Sequence, residues 1–155
     1  MPDFIIRPAT PADIPDARRM LADYVAWIGH DLAFQEIDAE FAGLPGDYAP
    51  PHGALFVADD GKKLGGMIGI RALATHTCEM KRLFVRPAAR GHGLARRLVD
   101  AAIAEARRIG YDEMRLDTLP MMTDAQLLYV AMGFRDIAPY YDTPIAGTRF
   151  MAKAL

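Results

Sequence analysis

Arg90-Gly91-His92-Gly93-Leu94-Ala95-Arg96 decides the reading of this chain, because it joins a strand-like run ending Leu83-Phe84-Val85 to a long helical pattern that begins near Leu94. Glycines there let backbone N–H groups turn toward an anion with no Cβ in the way, and the following helix offers unpaired donors and the positive end of its dipole. Arg90, Arg96 and Arg97 add charge where phosphates would sit. The segment reads as a phosphate cradle. Because glycines before a helix also serve as plain tight turns, the rest of the chain has to choose between the two.

Working outward, the helical pattern over 94–109 is closed by Gly110 and leads to a strand at Met114-Arg115-Leu116-Asp117. With the strand at 79–85 before it, this makes a β-α-β unit. Further upstream, residues 54–58 and 64–73 read as two strands joined through Asp59-Asp60-Gly61-Lys62, a hairpin signal. At the start, Phe4-Ile5-Ile6-Arg7 is a strand stopped by Pro8, and Thr10-Pro11-Ala12-Asp13 supplies a cap, a first-turn proline and an early acid. Ile14, Ala17, Leu21, Tyr24, Val25 and Ile28 then recur at helical spacing up to Gly29. Residues 30–41 suggest a second helix through Leu32, Phe34, Ile37 and Phe41, and the proline-bearing stretch 43–53 is a loop. Beyond Leu119-Pro120, Thr123 and Gln126 have capping-box spacing, and Ala125, Leu128, Tyr129 and Met132 share a helical face that ends at Gly133. Residues 147–155 alternate weakly, as a terminal strand does. This order predicts an α/β fold, a mixed central sheet with helices on both faces, in one domain over residues 1–155.

Composition narrows the function classes. A net charge of −2 with interspersed signs gives no reason to expect nucleic acid or an anionic membrane as partner. One cysteine, Cys78, rules out an internal disulfide, and no signal peptide or membrane-length apolar run is visible, so a reducing cytoplasm is the expected home. His30, His52, His76 and His92 have no metal-ligand spacing with one another or with Cys78, and no metal is expected.

The 79–85 strand, the Arg90 to Arg97 turn and the Leu128-Tyr129 … Gly133-Phe134 helix end together resemble the GNAT superfamily of acyl-CoA-dependent N-acetyltransferases. The opening Ile6-Arg7-Pro8-Ala9 with Asp13 extends the resemblance over essentially the whole chain. The resemblance implies a parallel strand pair that splays apart, with the pantetheine arm of coenzyme A lying in the gap like an extra strand. It implies that Leu83 and Val85 offer backbone hydrogen bonds to that arm, and that Gly91, His92, Gly93, Leu94, Ala95 and Arg96 wrap the diphosphate. Two positions depart from the family pattern. Ala88 stands where a glutamine or arginine is common, which leaves Arg90 as the nearest cation, and Met122-Thr123 replaces a frequent asparagine.

Acetyl transfer to an amine needs a deprotonated nitrogen, donors for the oxyanion and an acid for the leaving thiolate. Glu79 stands at a common base position of the family and acts directly or through water; the competing reading pairs it with Lys81, Arg82 or Arg71 in a structural ion pair. Tyr129 matches the phenol that the family places beside the coenzyme sulfur as general acid, against a reading in which it simply packs in the core. The oxyanion donor falls on a backbone N–H near Leu83 or Phe84. Cys78 has no activating histidine pattern and reads as a buried thiol. His92 either contacts phosphate or covers the helix start. Trp27, His30, Tyr140 and Tyr141 are the acceptor-site candidates, the two tyrosines because large aromatics between Pro139 and Pro144 need something to pack against. The expected activity is transfer from acetyl-CoA to a small primary amine by direct attack in a ternary complex. The alternative is a non-catalytic acyl-CoA sensor or structural module, and dimerisation enters through the resemblance alone.

Overall fold

The structure, a computed structural model, describes residues 3–29 and 36–155. β2 (Ala54–Asp59) and β3 (Leu64–Ala74) form the expected antiparallel hairpin, whose turn is held by the Asp60 carboxylate accepting from the Lys62 and Lys63 N–H groups at 2.8 Å each. β1 (Ile5–Pro8) adds to its outer edge, and β4 (Thr77–Val85) to its inner one. β5 (Glu113–Thr118) lies beside β4, followed by β7 (Arg149–Ala154) and the two-residue β6 (Arg135–Asp136). The order β1-β2-β3-β4-β5-β7-β6 is antiparallel throughout except at β4 and β5, the pair linked by the β-α-β crossover. This is the mixed open sheet read from the sequence. β6 was not anticipated, since two residues carry no period.

Thr10 starts the first helical segment as expected: its N–H and hydroxyl both donate to Asp13, whose carboxylate Arg7 grips at 2.7 and 2.9 Å while also reaching Asp59. These bonds hold the Asp13 carboxyl well below the usual carboxylate range. A short 3-10 turn there runs into α1 (Ile14–Ile28), which ends at Gly29. α2 (Ile37–Gly43) is shorter than the helix expected over 30–41, of which residues 30–35 lie outside the described residues.

α3 (Leu94–Ile109) packs on one face of the sheet through Leu94, Leu98, Val99, Ala102, Ile103 and Ala106, a stripe set by the 3.6-residue turn. It meets Phe56, Ile68, Ile70, Met80, Met114 and Leu116, each large side chain contributing about 1.5–3 kcal/mol by leaving water. α4 (Thr123–Ala131) sends Tyr129 into the same cluster. On the opposite face, Met20, Leu21, Tyr24 and Ile28 of α1 and Ile37 of α2 cover Val57, Met67 and Phe84. The capping box expected at Thr123 and Gln126 is absent. Met122 occupies the cap position, and the Gln126 side chain donates instead to the Leu119 carbonyl at 2.9 Å, tying the helix to the chain entering it. No helix among the described residues is long and apolar enough to cross a membrane.

Candidate active site

β4 breaks its alternation at one place, and the site is built there. Gly69 of β3 faces Lys81 and Met67 faces Phe84, so Ile68 alone spans Arg82 and Leu83, a β-bulge with Arg82 at φ 62°. Bulges bend a strand. β4 is registered with β5 at Thr77–Glu113, Cys78–Met114 and Glu79–Arg115, and the pairing stops there. Past that rung the strands diverge, giving the splayed parallel pair expected from the sequence.

The gap is a cleft walled by Met80, Lys81, Arg82 and Leu83 from β4 and by Leu116 and Asp117 from β5, with Tyr24, Trp27 and Tyr129 from the helices. It continues into a second cleft along Leu83, Phe84 and Val85 that is bounded by Arg90, Ala95, Met122 and Thr123. Trp27 borders both and is 49% exposed, with the Arg90 guanidinium 6.0 Å from its ring centre. It therefore stands where the two clefts join rather than in an acceptor pocket alone.

At the far end of the second cleft, Gly91 and Gly93 have φ of 85° and 68°, the left-handed region that a Cβ disfavours. Gly93 caps α3, so the N–H groups of Leu94, Ala95 and Arg96 have no acceptor within the helix, while the Leu94 side chain is buried in the core. Arg96 is exposed at the same turn. That donor set suits a diphosphate. Nearby, Arg97 donates to the Phe4 carbonyl at 2.8 Å, and the His92 ring lies 6.0 Å from that of Phe4. Arg90 bonds the Val85 carbonyl at 3.2 Å, leaving its charge at the cleft mouth.

Tyr129 is buried against Phe134, with ring centres 5.8 Å apart, and its hydroxyl makes no hydrogen bond with the described residues. Burial, then the neighbouring Tyr24 and Asp117, push its pKa well above the ordinary phenol value, so it carries its proton at neutral pH. Glu79 is 2% exposed and lies directly across from Arg71, whose Nε and Nη2 both reach Oε1 at 3.0 Å. Tyr140 donates to Oε2 at 2.6 Å. The Arg71 ion pair weighed from the sequence is thus present, and Glu79 is not among the residues lining the cleft, so it reaches an amine there only through an intervening water.

Tyr140 and Tyr141 pack edge-on against Phe150, and their hydroxyls go to Glu79 and Asp117. Burial and those carboxylates raise both phenols. They brace the two acidic groups through their hydroxyls. His30 lies outside the described residues. Cys78 is fully buried, its thiol pushed up to about 12 by burial, which suits packing rather than nucleophilic chemistry.

Sequence reasoning missed the Lys81–Asp117 pair. Each lies two residues past the last registered rung, so the two face one another across the gap, and Lys81 Nζ meets Asp117 Oδ1 at 2.9 Å with side chains 4% and 6% exposed. Burial opposes the Asp117 charge, but Lys81 and the Tyr141 hydroxyl outweigh it and hold the carboxyl below its usual range. Glu40 of α2 likewise holds Arg82 at 2.7 and 3.0 Å. The available signal was Lys81 and Arg82 side by side in a central strand and Asp117 in another, positions where charge is rarely tolerated without a partner.

An open mixed sheet that splits at its parallel pair, with a glycine turn and helix N-terminus at the mouth of the split, defines an acyl-CoA N-acyltransferase fold. The chain belongs to the acetyltransferase (GNAT) family, whose model matches residues 17–134. It is 39% identical over 143 residues to an uncharacterized N-acetyltransferase of Schizosaccharomyces pombe, covering 91% of this chain and 88% of the relative. Among solved structures, a Thermoplasma acidophilum PaiA N-acetyltransferase in complex with coenzyme A is similar at TM-score 0.78 and 18% identity, with 99% of each chain covered. Salmonella typhimurium YncA, solved with its cofactor acetyl-CoA, is similar at 0.71 and 22%, covering 97% of this chain and 93% of that one. The enzyme class is therefore acyltransferase, in a family that draws its acetyl group from acetyl-CoA.

Proposed function

We propose that this chain, as one domain, transfers the acetyl group of acetyl-CoA to the primary amine of a small molecule by direct attack in a ternary complex. The observation that carries this reading is the split between β4 and β5, with Tyr129 lining it and the glycine turn at its mouth. The N–H groups of Leu94 to Arg96, with Arg90 and Arg96, hold the diphosphate; the backbone of Leu83 and Val85 holds the pantetheine amides, and an N–H near Leu83 or Phe84 meets the oxyanion. A small acceptor fits a cleft narrowed by Tyr24 and Trp27.

In the reaction the amine lone pair attacks the thioester carbonyl, the C–N bond forms, and the C–S bond breaks with its electrons passing to sulfur. Tyr129 gives its proton to that sulfur and recovers one from the nitrogen as the amide forms. Glu79 draws off the proton of the incoming ammonium through water, its carboxylate oriented by Arg71 and Tyr140. The test is thermal unfolding with acetyl-CoA, followed by thiol release over a panel of amines, for wild type, Glu79→Gln and Tyr129→Phe. Stabilisation with release that falls about a hundredfold in Tyr129→Phe supports the roles. Stabilisation without release favours a binding module, and absence of stabilisation at saturating coenzyme sinks the cradle.

A further inference from the structure

We propose that Lys81 is a self-acetylation site, taking the acetyl group of bound acetyl-CoA when no external amine is present. The inference rests on the acetyl-CoA reading above, but on different residues. Lys81 is the one primary amine among the described residues that line the cleft, and it shares that cleft with Tyr129. A pantetheine arm running along β4 from the glycine turn passes Val85 and then Leu83, which directs its acyl end toward Lys81, the next residue but one. The amine is also already paired with a proton acceptor, Asp117 Oδ1 at 2.9 Å.

The step balances with these groups alone. Lys81 Nζ passes one proton to Asp117, its lone pair attacks the thioester carbonyl, the C–N bond forms, and the C–S bond breaks with both electrons going to sulfur. Tyr129 protonates the thiolate, and the second nitrogen proton, lost as the amide forms, returns to the Tyr129 oxygen. Proton transfer between Lys81 and Asp117 removes two buried charges together. Lys81 contributes most to keeping Asp117 ionised, so its loss of charge favours proton uptake there, while the Tyr141 hydroxyl and Arg82 remain and oppose it. An external amine competes for the same acetyl group, which makes Lys81 acetylation a mark of enzyme charged with acetyl-CoA but lacking acceptor.

The experiment is incubation of the full chain with acetyl-CoA and no amine, read by intact mass and peptide mapping, with unfolding temperature in coenzyme A measured on the same preparation. The expected result is one acetyl group at Lys81, appearing before any at the exposed Lys62 and Lys63. It should be suppressed by excess coenzyme A, slowed about a hundredfold in Tyr129→Phe, and lost in Lys81→Arg, which keeps the cation opposite Asp117. Label confined to Lys62, Lys63 or Lys153, or label on Lys81 that excess coenzyme A leaves unchanged, overturns the proposal. If coenzyme A stabilises the chain and Lys81 stays unmodified, self-acetylation falls and the acetyl-CoA reading stands; if coenzyme A gives no stabilisation, both fall.

Discussion

Replacing Glu40 with alanine cuts α2 from the sheet at a buried charge. The Glu40 carboxylate receives Arg82 Nε at 2.7 Å and Nη2 at 3.0 Å, with Arg71 at 3.7 Å, and the Glu40 and Arg82 side chains are 10% and 4% exposed. Burial pushes the Glu40 carboxyl up, but the Arg82 bonds prevail and keep it below its ordinary range, so the pair is ionic at neutral pH. Each such bond contributes about 1.5–3 kcal/mol, and removing one member of a buried pair costs about 3–5 kcal/mol because the other charge stays behind. We expect a loss of about 4 kcal/mol, which at about 2–4 °C per kcal/mol lowers Tm by about 8–16 °C in a chain of this size. Urea unfolding followed by circular dichroism measures it, alongside Arg82→Met and the double variant. Because the double variant leaves neither charge of this pair, its loss should fall short of the sum of the singles by about 2 kcal/mol. A Glu40→Ala loss under about 1 kcal/mol, or strict additivity, would refute the argument. The same variant should weaken stabilisation by coenzyme A, because Arg82 lies in the bulge that opens the cleft.

Gly93→Val forces a β-branched residue to φ 68° where the added Cβ meets no neighbour, so the cost is backbone strain of about 1–3 kcal/mol; acetyl-CoA affinity measured by calorimetry should fall with it. Gly69→Ala places a Cβ 2.7 Å from the Tyr48 ring, and chemical denaturation should register about 1–3 kcal/mol of overpacking; an unchanged midpoint would show that the ring moves aside freely. Arg86 holds Asp16 below its ordinary carboxyl value, so this contribution is complete above the unfolded value near pH 4 and disappears as pH falls through the lower folded value. The stability advantage of wild type over Asp16→Asn should therefore be level at neutral pH and shrink in acid, and an advantage that grows in acid would contradict the sign.

Local rules carried much of the fold because the decisive signals were short-range. The apolar runs 54–58 and 64–73 either side of the Asp59-Asp60-Gly61-Lys62 turn, the Leu94 to Ala106 stripe, and glycines at 29 and 110 each concern a few neighbouring residues. Features set between elements were not legible. The bulge puts Arg82, not a glycine, at positive φ, and its side chain is bonded by Glu40 on α2. The Lys81–Asp117 contact depends on where the parallel register ends, which neither strand records alone. At the candidate site the glycine turn and Tyr129 were readable as a pattern. The partners of Glu79 were not, since the choice of Arg71 over Lys81 or Arg82 follows from the β3–β4 pairing, and Tyr140 arrives from 61 residues away. Thr123 and Gln126 show a pattern misread by one position, with the glutamine serving Leu119 instead of the helix start.

Three rungs join β4 to β5, whereas β2 and β3 are registered along the whole of β2. Mechanically the sheet is two panels, β1 to β4 and β5 to β6, stitched along a short seam. Beyond the seam the panels are linked through the α3 crossover and single side-chain ties such as Lys81 to Asp117. A ligand lying in the split as an additional strand would lengthen the seam, so occupancy and rigidity of the second panel would rise together. The site would then act as the clasp of the fold as well as its workplace.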